Sequence, residues 1–111
     1  MLTVEALRSA GADVDSGISR CMGNEDFYIR LANMALADDG YSALREAVEA
    51  HDLEKGFECA HALKGMLSNV SLTNVLDPVL EMTEALRAKE DRDYSALLDK
   101  MDEEVEKLRA L

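Results

Sequence analysis

The chain is poor in basic residues and has no long hydrophobic run. Twelve lysines and arginines stand against 23 aspartates and glutamates in 111 residues, which gives a formal net charge of -11. A nucleic-acid-binding surface needs a positive field to displace counterions, and anionic membranes repel an acidic protein. No apolar stretch approaches the ~20 residues that a membrane-spanning helix requires. We therefore expect neither a nucleic-acid partner nor a membrane partner.

Cysteine and proline are also scarce, with two cysteines and one proline. Cys21 and Cys59 lie far apart with no CxxC pairing, so we expect two free thiols in a reducing compartment. The opening MLTVEALRSAG has neither the basic leader nor the apolar run of a signal peptide, which indicates the cytoplasm. Length and composition favour one globular domain over residues 1–111, and nothing demands more than a monomer.

Apolar residues recur at helical spacing, and no stretch alternates as a strand would. Two short helices are predicted first: TVEALRSA, capped by Thr3 and stopped by Gly11, and DSGISRCM, capped by Asp15 and stopped by Gly23. A longer helix is capped by Asn24 and ends near DDG. Its predicted apolar stripe and its C-cap are Phe27, Leu31, Met34 and Ala35, followed by Gly40.

The helices that follow are amphipathic, with short connections between them. The first closes around His51, the second is capped by Asp52, and AKEDRD forms the last turn. Pro78 allows one helix with a mild bend, which we favour, or a fresh helix beginning at Asp77. The predicted buried lines are Tyr41, Leu44, Ala47 and Val48; Leu53, Gly56, Ala60, Leu63, Leu67 and Val70; Leu72, Val75, Val79, Met82 and Leu86; and Tyr94, Leu97, Leu98, Met101, Val105 and Leu108.

Short connections make successive helices antiparallel neighbours. The pattern therefore predicts an all-α fold, an up-down-up-down four-helix bundle with short N-terminal capping helices.

The stretch ECAHALKGMLSN, residues 58–69, places an unusual set of residues on one face of a helix. Lys64, Gly65 and Ser68 follow His61 by three, four and seven residues, so all four stack on a face turned away from the apolar line. Glycine in a helix interior costs ~1 kcal/mol relative to alanine. A glycine beside a histidine opens space above the imidazole, which indicates that another molecule approaches the ring there.

This combination suits a nucleophilic imidazole that carries phosphate. With an ordinary pKa of ~6.5, much of the histidine is neutral near pH 7 and has a free lone pair. Attack of His61 on an aspartyl phosphate would give a phosphohistidine, while Lys64 screens the negative charge. Ser68 and Asn69 either hydrogen-bond the phosphate or only polarise the helix end. The metal ion and acid groups would come from the partner.

The same residues resemble a known family, the histidine-containing phosphotransfer (Hpt) domain of bacterial multistep phosphorelays. Its H-x-x-K-G motif is matched by His61, Lys64 and Gly65, with the frequent alanine and leucine at Ala60 and Leu63. The upstream DVDSGISRCMGNEDFYIRLANMAL looks like the family's entry segment. The resemblance spans nearly the whole chain, although its specific part is residues 52–72.

The resemblance implies a phosphotransfer protein of a two-component signal transduction pathway. His61 would accept phosphate from, and donate it to, aspartates of response-regulator receiver domains, with a hybrid sensor histidine kinase as a further partner. Such a domain has no autonomous kinase activity, which agrees with the lack of a glycine-rich phosphate loop. No cofactor or metal is expected in this chain, and magnesium is expected on the receiver.

Three positions depart from the family pattern. Met66 and Leu67 stand where small residues usually follow the glycine, and Ser71 stands where a glycine is common. Bulk at Met66 would alter how a partner docks, and Ser71 would shift where the helix ends.

Two alternatives compete with phosphotransfer. Glu58 and His61 form an E-x-x-H pair of the kind that houses di-iron sites, but such a site needs the pair twice. The other histidine, His51, has Val48 where its glutamate should be, and we interpret it as a structural residue near a helix C-terminus. The second alternative is an adaptor that docks receiver domains without carrying phosphate, which the pairing of His61 with Lys64 argues against.

Overall fold

The structure is a computed structural model that describes residues 1–111 and contains only helices. The predicted all-α fold is confirmed. None of the helices is long and apolar enough to cross a membrane. The seven helices are α1 (Val4–Ser9), α2 (Val14–Arg20), α3 (Glu25–Ala37), α4 (Gly40–Glu49), α5 (Leu53–Asn69), α6 (Thr73–Arg87) and α7 (Ser95–Arg109).

Helices α4 to α7 form the four-helix bundle, in which α5 packs between α4 and α6 and α7 packs against α6. Short turns connect them, so neighbours in the chain run antiparallel. The bundle closes between its first and last helices, where Arg45 of α4 reaches α7. Its guanidinium donates to Asp99 and Asp102 at 2.9 Å each.

The four apolar lines predicted for the bundle are confirmed. Every member is buried except Leu53 and Leu97, which are half-buried at the ends of their lines. Helix α6 runs unbroken through Pro78, its sixth residue, as the favoured interpretation required. Proline there removes one backbone donor, the N–H that would bond the carbonyl of Asn74.

Two predicted caps were wrong. Asp13, not Asp15, caps α2, since its side chain accepts from the amide of Ser16. Asp15 instead forms an ion pair with Arg8 at 3.0 Å. Gly40 does not end α3: the chain turns at Asp38, and Gly40 is the first residue of α4.

The predicted stripe of α3 was also wrong, because only Ala35 of its four residues is buried. Phe27 and Met34 are 43% and 61% exposed, and Leu31 is half-buried. The core face lies one residue away along the helix, where small side chains let α3 approach the bundle. Its members are Tyr28, Ala32, Ala35 and Leu36.

The N-terminal segment holds the end of α5. The last carbonyls of a helix have no partner within it, and three donors from residues 13–28 bond the carbonyls that end α5. The Tyr28 hydroxyl donates to the Val70 carbonyl at 2.9 Å, and the amide of Asp13 donates to Ser71 at 3.1 Å. The Arg20 guanidinium donates to the Ser68 carbonyl. The short helices and α3 thereby fix the position of the C-terminal half of α5.

The Tyr28 bond gives a test of this clasp. Tyr28 is fully buried, so Tyr28→Phe leaves the Val70 carbonyl without a partner. We expect the free energy of unfolding to fall by about 1–2 kcal/mol, measured by urea denaturation. Phe27→Tyr, which adds a hydroxyl to the exposed neighbouring ring, is the control and should change it by less than ~0.5 kcal/mol. Equal stabilities for both variants would contradict the clasp.

Candidate functional site

The rotation of α5 is fixed by close packing along one face. Gly56 and Ala60 are buried there, and a Cβ on Gly56 would lie 3.3 Å from Val48 Cγ2 and 3.4 Å from a Leu86 Cδ atom. A larger side chain would push α4 and α6 apart. Because the next residue after Ala60 is rotated by ~100°, the face that begins at His61 is turned out of the core.

The His61 ring is exposed, and its two nitrogens are free. No hydrogen bond or ion pair within the chain engages either one. The ring stacks on Phe57, one turn earlier, with centroids 5.5 Å apart and planes inclined by 19°. Phe57 thus supports one face of the imidazole and leaves its nitrogens to react with an outside group.

Arg87 of α6 is a residue that the sequence did not indicate. Its guanidinium carbon lies 5.1 Å from the centre of the Phe57 ring, within the range of a cation–π contact. The same guanidinium approaches Glu84 at 3.5 Å and remains half-exposed. The spacing of Phe57 and His61 was visible in the sequence, but the contact from another helix had no local signal.

Lys64 is half-buried one turn after His61 and forms no hydrogen bond or ion pair. Lysines on α7 behave differently, since Lys100 and Lys107 both contact the carboxylate of Glu104. The charge of Lys64 is therefore not neutralised within the chain and is available to an anion near His61.

Gly65 has no packing reason to be a glycine. A Cβ built there would meet nothing within 4 Å, whereas one at Gly17 would collide with the Tyr28 ring. The helix therefore accepts the cost of glycine at position 65 without any gain in its own packing. The open space lies beside His61 on the exposed face of α5.

Ser68 and Asn69 lie on the same side of the helix but farther away. Ser68 is seven residues after His61, about 10 Å along the axis at 1.5 Å per residue. It is half-buried, while Asn69 is exposed and ends α5; neither side chain hydrogen-bonds within the chain. The structure thus groups His61, Lys64 and Gly65 within about one turn and leaves Ser68 and Asn69 a further turn away.

The three departures from the family pattern have distinct positions. Ser71 has φ +51, the left-handed conformation that glycine adopts most easily, so α5 ends there as it would with a glycine. The expected shift of the helix end was wrong. Leu67 is fully buried and faces the core, whereas Met66 is half-buried and lines a groove beside α5.

The remaining polar residues considered above lie apart from this face or lack partners for a metal site. His51 has φ +58 after α4, and its Nδ1 lies 2.9 Å from Asp91 Oδ1. No group of three or more His, Cys, Asp or Glu side chains is placed to hold a metal ion. Both cysteines are free thiols, and burial raises the pKa of Cys59.

Comparison with known proteins gives one match. The family model described as the Hpt domain matches residues 33–111, which includes the bundle and the His61 face. No curated protein and no solved structure matches the chain.

Proposed function

The chain belongs to the Hpt domain family, and from that membership we propose that it carries a phosphoryl group on His61 between receiver domains of a multistep phosphorelay. The family supports a role in histidine phosphotransfer. The observation that carries the proposal is the state of His61: an exposed ring, stacked on Phe57, with both nitrogens unengaged.

In the proposed transfer, the lone pair of the unprotonated His61 nitrogen attacks the phosphorus of an aspartyl phosphate on the receiver. An N–P bond forms as the P–O bond to the carboxyl group breaks, and the electron pair of that bond leaves with the aspartate carboxylate. The other ring nitrogen keeps its proton or releases it to water. Donation to a second receiver is the same displacement in reverse.

This chain supplies the nucleophile, positive charge and access. Lys64, and Arg87 behind Phe57, place cations near a group that gains negative charge. Gly65 leaves room for the receiver's aspartate to approach in line. Magnesium and acid groups belong to the receiver, and no cofactor is assigned to this chain.

The proposed role places the chain in the cytoplasm as a monomer. Its partners are a response-regulator receiver domain and, as a further source of phosphate, a hybrid sensor histidine kinase. In that role it neither binds ATP nor phosphorylates itself.

His61→Gln tests the acceptor. Incubation with a receiver domain phosphorylated by acetyl phosphate and Mg²⁺ should put acid-labile, alkali-stable label on the parent chain and none on the variant, because glutamine cannot form the N–P bond. His51→Gln is the control and should be labelled like the parent. Label retained by His61→Gln would rule out the assignment. A receiver that binds the parent chain without labelling it would favour the adaptor alternative.

Lys64→Ala tests the electrostatic support. Removing one charge about 4 Å from the phosphoryl group in water changes its energy by about 1 kcal/mol, so transfer should slow about fivefold. Rapid-quench measurement of label transfer provides the rate, and thermal unfolding should barely change. Lys55→Ala removes the same charge from the opposite flank of α5 and should have a smaller effect. Equal rates for Lys64→Ala and the parent would contradict this role.

Gly65→Leu separates folding from access. With no atom within 4 Å of the new Cβ, the variant should unfold up to about 1 kcal/mol less easily. Phosphotransfer should nevertheless slow strongly, because the leucine occupies the space beside His61. Gly56→Leu is the contrasting variant, which should destabilise the fold since its Cβ meets Val48 and Leu86. Unaltered transfer in Gly65→Leu would remove the steric argument.

A further inference from the structure

An apolar stripe on α3 remains uncovered in the structure. Phe27, Leu31 and Met34 recur at i, i+4 and i+7 and so line one face of the helix. Phe27 and Met34 are 43% and 61% exposed, and Leu31 is half-buried. Isolated exposed apolar residues are ordinary, but three in line on one helix form a continuous surface.

The two flanks of α3 face different parts of the molecule. On one flank, Asn33 and Leu36 line a cavity of about 370 Å³ together with Arg109 of α7 and the chain ends. The stripe lies on the other flank. Asp38, four residues after Met34 on the same line, borders a groove of about 330 Å³ against α5.

That groove connects the stripe with the acceptor helix. Its α5 side includes Ala62, directly after His61, and Met66, directly after Gly65. At the other end of α3, Tyr28 bonds the Val70 carbonyl at the end of α5. Helix α3 therefore runs beside the C-terminal half of α5, and the stripe borders the side of α5 next to His61.

A partner bound at His61 is large enough to reach the stripe. A stable interface buries about 800 Å² on each partner, equivalent to a circle with a radius of about 16 Å. Packed helices lie about 8–10 Å apart. A receiver centred on His61 thus covers Met34 well inside its footprint and Phe27 near its edge.

This inference rests on the proposed function. We propose that Phe27, Leu31 and Met34 dock an apolar part of the receiver domain that exchanges phosphate with His61, and that they help to select that receiver among others. The stripe is continuous with the acceptor face. Phe27 and Leu31 precede residue 33, where the family match begins, so most of the stripe is a feature of this chain. A second copy is a poor occupant, because two chains of charge -11 repel each other.

The test compares two neighbouring exposed residues of α3 that point to different flanks. The receiver domains of the source organism are purified, phosphorylated with acetyl phosphate and Mg²⁺, and ranked by kcat/KM for label transfer to the parent chain. Met34→Glu and the control Asn33→Glu introduce the same charge on the same helix, and Met34→Leu preserves the apolar contact. Circular dichroism and thermal unfolding confirm that each variant is folded.

For the preferred receiver, Met34→Glu should lower kcat/KM at least about tenfold, mainly through KM, because it buries an unpaired charge. Met34→Leu and Asn33→Glu should stay within about twofold of the parent. The rank of the receivers should also change with Met34→Glu. Unchanged transfer in Met34→Glu, or an equal loss in Asn33→Glu, would overturn the docking surface while leaving phosphotransfer intact.

Two further outcomes are decisive. A parent chain that sediments as a dimer and becomes a monomer with Met34→Glu would assign the stripe to a second copy and overturn the proposal. A parent chain that no receiver labels would overturn the proposed function itself, and the docking surface with it.

Discussion

The close packing of one face of α5 is the constraint on which the site depends. Gly56 and Ala60 bring α5 so near to α4 and α6 that its rotation about its own axis has no freedom. A helix with one face fixed in the core has the opposite face fixed as well. His61, Lys64 and Gly65 are therefore exposed as a consequence of where the small residues lie, and a rotation by one residue would turn them by ~100°.

Charge is distributed unevenly around this face. The chain carries a net charge of -11, and cations elsewhere contact carboxylates, as Arg45 contacts Asp99 and Asp102. Lys55 and Lys64 on α5 have no carboxylate within ion-pair distance. A further anion on an acidic protein is repelled by the rest of the molecule. Unpaired cations on the helix that would carry it offset that repulsion locally.

Residues before 33 serve the acceptor helix from outside the matched family region. Arg20 and Tyr28 bond the carbonyls at the end of α5, where a helix otherwise leaves acceptors unpaired. The same segment exposes Phe27 on the flank beside α5. One part of the chain thereby stabilises the acceptor helix and extends the surface next to it, which links the stability of the fold to the shape that a partner meets.

The sequence by itself determined what depends on neighbours within about one turn. Helical periodicity identified the buried lines of α4 to α7, Asn24 and Asp52 were recognised as caps, and the H-x-x-K-G motif identified the candidate site. Tertiary structure decided which face of α3 is buried and that Arg87 reaches Phe57. These depend on contacts between helices far apart in the chain: Tyr28 with its neighbouring alanines packs into the bundle more closely than the larger side chains that sequence reasoning favoured. Local spacing carries no record of such contacts.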